Sequence, residues 1–338
     1  PRGKDRPDRM RFTRSLVFGL LVLLPLLAPA APAAGQCAPG SMQLSRVACP
    51  GADASEPRTW SNHLTAFGAN VLIGGLTGGV VQELRGGSFR DGFVRGALGG
   101  TTIYAGKRIA AQRFDGAGLL GRQVAAVGTS MVRNAAAGRG SFSRLMLPVG
   151  PVRLYVEPGA ARPLQPKLDL AGLVFLGYGV FNDDLHFDTR RSLSAGMPVF
   201  RTEDRPIDWL ADGTELEGLA TAGVVFLADF WSKAERDHTF AHERVHVLQT
   251  DFVLGAWTDP VEDWVLGHFA AGRAIARWVD INLATNLLSL LGSPFDHDQR
   301  PWEAEADFMA GPRPSDCLHI SPLDGLVAAS RREPVIAP

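Results

Sequence analysis

Hydrophobic and polar positions change their period several times along the chain. From Val152 to Val156 apolar and polar residues alternate, the period of a half-buried strand. Leu168–Phe181 is a nearly continuous apolar run broken by Gly172, Gly177 and Gly179, and Leu185–Phe187 and Met197–Phe200 are shorter runs of the same kind. These predict strands of an antiparallel or mixed sheet with bulges at the glycines. Gly223–Leu227 is the last such run, read equally well as the edge of a cleft or as a core strand. Beyond it Phe240, Val245, Leu248 and Phe252 fall on one side of a helix, and a further helix is predicted from Val261 to Leu291, ending at Gly292-Ser-Pro294. Glu262, Asp263, Arg273, Arg277 and Asp280 exclude that helix as a membrane span.

Ahead of these runs, residues 60–145 are rich in Gly, Ala and small apolar residues. Gly74-Gly75 and Gly78-Gly79 form two overlapping G-x-x-x-G pairs, and Gly96, Gly99, Gly100 and Gly106 continue the theme. Small residues at that spacing let helices approach closely, so the region is predicted as helical hairpins packed on each other or on a membrane face. The fold class is therefore α+β: a Gly/Ala-rich helical region, then a domain of short mixed or antiparallel strands and helices.

The N-terminus is of another kind. Arg9, Arg11 and Arg14 precede an uncharged run from Ser15 to Pro32, and Ala28-Pro-Ala30 and Ala31-Pro-Ala33 are A-x-A sites, the pattern of a secretory signal cleaved near Ala33. The resulting divisions are 1–33 signal peptide, 34–59 linker, 60–145 helical region, 146–325 catalytic-type domain and 326–338 tail. Export would let Cys37 and Cys49 close a small loop, leaving Cys317 over. Lys and Arg number 34 against 35 Asp and Glu, a balance that does not point to nucleic acid.

Chemistry concentrates in Phe240-Ala-His242-Glu243-Arg244-Val-His246-Val-Leu-Gln249. On a helix His242 and His246 lie one above the other, so both rings can reach one small cation, with Glu243 beside them as a base for a metal-bound water. A third ligand is offered by Pro301-Trp-Glu303-Ala-Glu305-Ala-Asp307. Pro301 suits a first helical turn, and Glu303 and Asp307 then share a face, so that Glu303 can bind metal while Asp307 holds the second N–H of a ligating histidine. Glu305 faces away from both. Each motif alone also fits an ordinary helix with solvated charge or an acidic first turn. His268, His297 and Asp298 are near in sequence only and are not expected as ligands.

At these residues the chain resembles the gluzincin metallopeptidases, the thermolysin-like clan whose third zinc ligand is a glutamate on a later helix. His246-Val-x-Gln249 with Glu303-x-Glu305-Ala-Asp307 is most similar to an uncharacterised bacterial family that shares both motifs. The resemblance covers roughly residues 220–312. It implies a zincin-like catalytic domain, zinc on His242, His246 and Glu303, Glu243 as general base, and Asp307 behind a ligand. The chain departs from the group at Arg244, where leucine or isoleucine is usual. It has no sure counterpart of the later His or Tyr that steadies the oxyanion, Arg313 and His319 being the late candidates.

The expected function is an exported, periplasmic or extracellular zinc metallopeptidase acting on a peptide or protein substrate. Two alternatives stay open. One is an inactive, zinc-stabilised binding or assembly factor of the cell envelope; the other is a membrane-associated protein built on the helices of residues 60–144.

Overall fold

The computed structural model describes residues 60–203, 206–208, 215–229, 233–281 and 301–311. The expected signal peptide, linker and tail, the three cysteines, and His297, Asp298, Arg313 and His319 lie outside the described residues. Helices and small mixed sheets make an α+β fold.

Three helices come first: α1 (Trp60–Leu84), α2 (Phe89–Ala110) and α3 (Ala117–Ala136). Ser88 caps α2 by accepting from the Asp91 amide, and Asp91 at the start with Lys107 and Arg108 at the end complement its dipole. The expected close packing is present, and glycine makes it possible. A Cβ on Gly96 would lie 2.2 Å from the Gly74 carbonyl oxygen, and one on Gly100 would lie 2.2 Å from that of Asn70. On the other side of α2, Gly99 meets Gly128 and Gly106 meets Gly121. By length and composition His63–Leu84 could cross a membrane, but here its small face packs on α2.

A first sheet follows, in the order β1 (Leu145–Val149), β2 (Val152–Val156), β3 (Leu164–Asp169) and β10 (Val279–Asp280). Its buried face is ionic: Arg153 donates to Asp169 at 2.7 Å, and Asp280 accepts from Lys167 at 3.0 Å and from the Tyr155 hydroxyl at 2.8 Å. Burial pushes the Asp169 carboxyl above its ordinary range, against the pull of Arg153.

The second sheet runs β4 (His186–Phe187), β5 (Val199–Thr202), β9 (Val224–Ala228), β8 (Gly218–Thr221). β9 is buried along its whole length, the core-strand reading of that run, while β8 takes the edge. Period two divides its residues. Val225 and Leu227 pack with Phe240 and Val247 of α6 (Lys233–Leu266), which carries the H-E-x-x-H stretch, and Val224 and Phe226 face Phe175 and Leu176. A two-residue pair, β6 (Ile207–Asp208) and β7 (Glu215–Leu216), and the short helix α5 (Thr189–Ala195) complete this part.

Two sequence expectations are corrected. Leu168–Phe181 is not one strand: β3 ends at Asp169, whose carboxylate accepts from the Gly172 amide and starts α4 (Leu170–Phe181). An uninterrupted apolar run does not distinguish helix from strand, and its glycines serve close approach rather than bulges. A Cβ on Gly179 would meet the Phe200 ring at 2.5 Å. Nor is Val261–Leu291 one helix. Residues 261–266 complete α6, a short α7 (Ala270–Ala276) follows, and Val279–Asp280 turns into β10, parallel to β3. Residues 282–291 lie outside the described ones.

Gly96→Ala is expected to destabilise the fold by about 1–3 kcal/mol, because no backbone can yield the missing space. Gly68, on the same helical hairpin, has only open space within 4 Å of the position a Cβ would take. Gly68→Ala should therefore stabilise by about 0.5–1 kcal/mol through helix propensity alone. Urea unfolding of the two variants checks the contrast.

Candidate metal centre

Helical spacing stacks His242 and His246 on α6, and α8 (Pro301–Ala310) lays Glu303 across them. His242 Nε2 and His246 Nε2 are 2.8 Å apart, and Glu303 Oε2 lies 3.2 Å from the first and 2.8 Å from the second. Glu303 is buried and both rings are nearly so.

The other ring nitrogens decide what these atoms can do. His242 Nδ1 is 2.9 Å from Asp307 Oδ1, and His246 Nδ1 is 2.7 Å from Gln249 Oε1. The Gln249 amide is oriented without ambiguity, since its nitrogen donates to Glu305 Oε2 and to the Trp302 carbonyl, both at 2.8 Å. Its oxygen must then accept, so His246 carries its proton on Nδ1. Both Nε2 lone pairs are left aimed at one point, together with a carboxylate oxygen. His242, His246 and Glu303 thus form a group able to hold a metal ion, with ligand atoms all within 4.8 Å of one another.

The electrostatics agree. Burial by itself lowers the affinity of the His242 ring for protons, but the hydrogen bonds to Asp307 and Glu303 and the charge of Glu243 outweigh it, raising its pKa to about 10. His246 is raised too, its burial overcome by Glu303 and Glu243. The pocket recruits positive charge, as protons on the rings or as a metal ion in their place.

Comparison of the chain with protein-family models, curated proteins and solved structures finds no match.

Glu243 is buried, and the edge strand β8 runs against it: a Cβ on Gly218 would lie 2.6 Å from Glu243 Oε1. Asp307, in the last turns of α8, is 67% exposed and sets its carboxylate on His242. Glu305 is outside the ligand group and accepts from Gln249 of α6 and from Lys107 and Asn70. His268 is exposed and takes no part in the ligand group.

Several supporting residues carried no sequence signal. Lys107 of α2 is 2% exposed and donates to Glu305 Oε2 at 2.8 Å and to Asn70 Oδ1 at 2.9 Å. Asn70 of α1 in turn donates to Glu305 Oε1 at 2.6 Å. The carboxylate that orients Gln249, and through it His246, is thus held by two Gly-rich helices. Burial raises the pKa of Glu305, but Lys107, Gln249 and Asn70 outweigh it and keep the carboxylate ionised. Only Gln249 could have been found by spacing, because it lies three residues after His246 on the same helix. His238, one turn before His242, holds the end of α8 through the Gly311 carbonyl at 2.7 Å.

Arg244 also finds its reason. It is 3% exposed, reaches the Gln112 carbonyl at 3.0 Å and covers the Phe240 ring. Burial lowers its pKa to about 10. An aliphatic residue there would pack but would not satisfy that carbonyl at the end of α2.

Gln249→Ala is expected to weaken metal binding about 10–100-fold by freeing the His246 tautomer, measured by competition with a chelating dye. Lys107→Met should cost about 3 kcal/mol of stability in urea unfolding, since it strands Glu305 in the interior.

Proposed function

We propose that the chain is an exported zinc-dependent metallopeptidase of gluzincin type. The observation that carries this reading is the convergence of His242, His246 and Glu303 beside the buried carboxylate of Glu243. Two imidazoles and one carboxylate are the donor set of a catalytic zinc that keeps an open position. Bound there, zinc supplies a Lewis acid for a carbonyl and lowers the pKa of water to about 7.

The protein's own residues do the rest. Asp307 and Gln249 hold the two rings with Nε2 towards the ion. Glu243 accepts the proton of the attacking water and delivers it to the leaving amine. Among the described residues, the outer side of β8 pairs with no other strand. An extended peptide added there would pass Gly218, against which Glu243 lies. The contact between Gly218 and Glu243 leaves no room for a side chain on that part of the strand.

Glu243→Gln should keep one zinc per chain and lose at least about 100-fold in peptide hydrolysis, the scale of general acid–base catalysis. His246→Ala should lose both. Elemental mass spectrometry of the purified chain, together with cleavage of a peptide library, reads the two outcomes. One zinc per wild-type chain without cleavage of any peptide would instead make the centre structural, in an envelope binding or assembly factor.

A further inference from the structure

A second concavity, of about 300 Å3, lies where α1 and α3 end against the first sheet and α7. Seven cationic side chains line it. Arg85 comes from the end of α1, Arg133 from α3, Arg139 and Arg144 from the turns that follow, Lys167 from β3, and Arg273 and Arg277 from α7 and its end. Among the described residues that line it there is no carboxylate. Among the described residues, carboxylates reach these cations from outside the lining: Asp280 binds Lys167 at 3.0 Å, and Glu157 stands 4.0 Å from Arg139 and 3.9 Å from Arg144. Seven positive groups in a lining without a carboxylate make the cavity electropositive.

Part of this charge is built in. Tyr155 is buried at the floor, its hydroxyl accepting from Arg133 at 3.2 Å and donating to Asp280 at 2.8 Å. Arg144 lies 4.4 Å from the centre of its ring. The arginines at the mouth, Arg139, Arg273 and Arg277, are exposed; Arg139 stands 4.0 Å from Glu157, and Arg273 donates to the Gly267 carbonyl at 2.7 Å. Folding alone gives no reason to gather like charges from four separate segments around one hollow, where each repels the next. An anion resolves that repulsion, and guanidinium forks match phosphate oxygens in particular.

The apolar residues nearby select the source of the phosphate. Phe142, Phe269 and Trp278 are 61%, 65% and 59% exposed. Each lies within two residues, along the chain, of a position that lines the cavity: Arg144, Gly267 and Arg277. Exposed aromatic residues close in the chain to those lining a basic hollow are suited to the boundary between headgroups and acyl chains. We propose that this cavity receives the phosphate headgroup of an anionic lipid, docking the protein on a membrane surface. The contact is separate from the metal centre and does not depend on the peptidase reading. It also differs from an association through the small-residue faces of α1–α3, which are occupied by helix packing.

The test is sedimentation of the full chain with vesicles of phosphatidylcholine alone or with one third phosphatidylglycerol, beside Arg273→Glu/Arg277→Glu and Phe269→Ser/Trp278→Ser. Because the uncharged run Ser15–Pro32 is common to all three proteins, the difference between them is read, not absolute binding. The wild type should prefer the anionic vesicles and be displaced by tripolyphosphate at matched ionic strength. The charge variant should lose about 30-fold in affinity for them, from about 1 kcal/mol per arginine removed. The aromatic variant should weaken binding at unchanged charge. Equal binding of wild type and charge variant to anionic vesicles overturns the proposal. So does saturable binding of tripolyphosphate, lost in the charge variant, by a protein that ignores the vesicles; that would assign the cavity to a soluble phosphate ligand.

Discussion

The ammonium of Lys107 and the carboxylate of Glu305, 2.8 Å apart in the interior, are the contact on which the rest of the structure depends. Neither charge is tolerable there alone, because taking an ion out of water costs several kcal/mol unless a partner and hydrogen bonds replace the solvent. Asn70 and Gln249 supply those bonds. The cluster therefore joins α1, α2, α6 and α8 at one point, and that point lies directly behind His246. Helices that look like a separate region in the sequence are, in the fold, the outer support of a histidine tautomer.

The arrangement explains why α1 and α2 must approach so closely. Asn70 and Lys107 can meet the same carboxylate because Gly74, Gly96 and Gly100 bring the two backbones into contact. Larger residues would separate the helices and pull the two polar groups apart. Small-residue packing here serves a polar interior rather than a lipid-facing one. In water the same faces would otherwise have little apolar area to bury, which is why the ionic cluster and the glycine seams belong together.

Around the group able to hold a metal ion, each donor has a neighbour that limits its freedom. Asp307 holds the His242 ring, Gln249 holds that of His246, and α8 is held at its end by His238 through Gly311. Glu243 has the backbone of β8 against it, with glycine at the point of contact. A site held from outside its ligands keeps its geometry when a small ion or substrate enters.

The sequence by itself determined what depends on local spacing. Histidines four positions apart fall on one helix face, and Glu303 and Asp307, also four apart, do the same for two carboxylates, whatever surrounds them. The alternation in Val152–Val156 and the small-residue pattern of residues 60–145 were legible for the same reason. Continuous apolar runs were not: Leu170–Phe181 became a helix because Asp169 caps it and the β5–β9 sheet offers a surface. Tertiary structure alone decided that Lys107 and Asn70 stand behind Glu305, that Arg244 closes on the Gln112 carbonyl, and that arginines from distant segments share one hollow. Those contacts join residues far apart in the chain, and periodicity carries no information about which distant partner a side chain will meet.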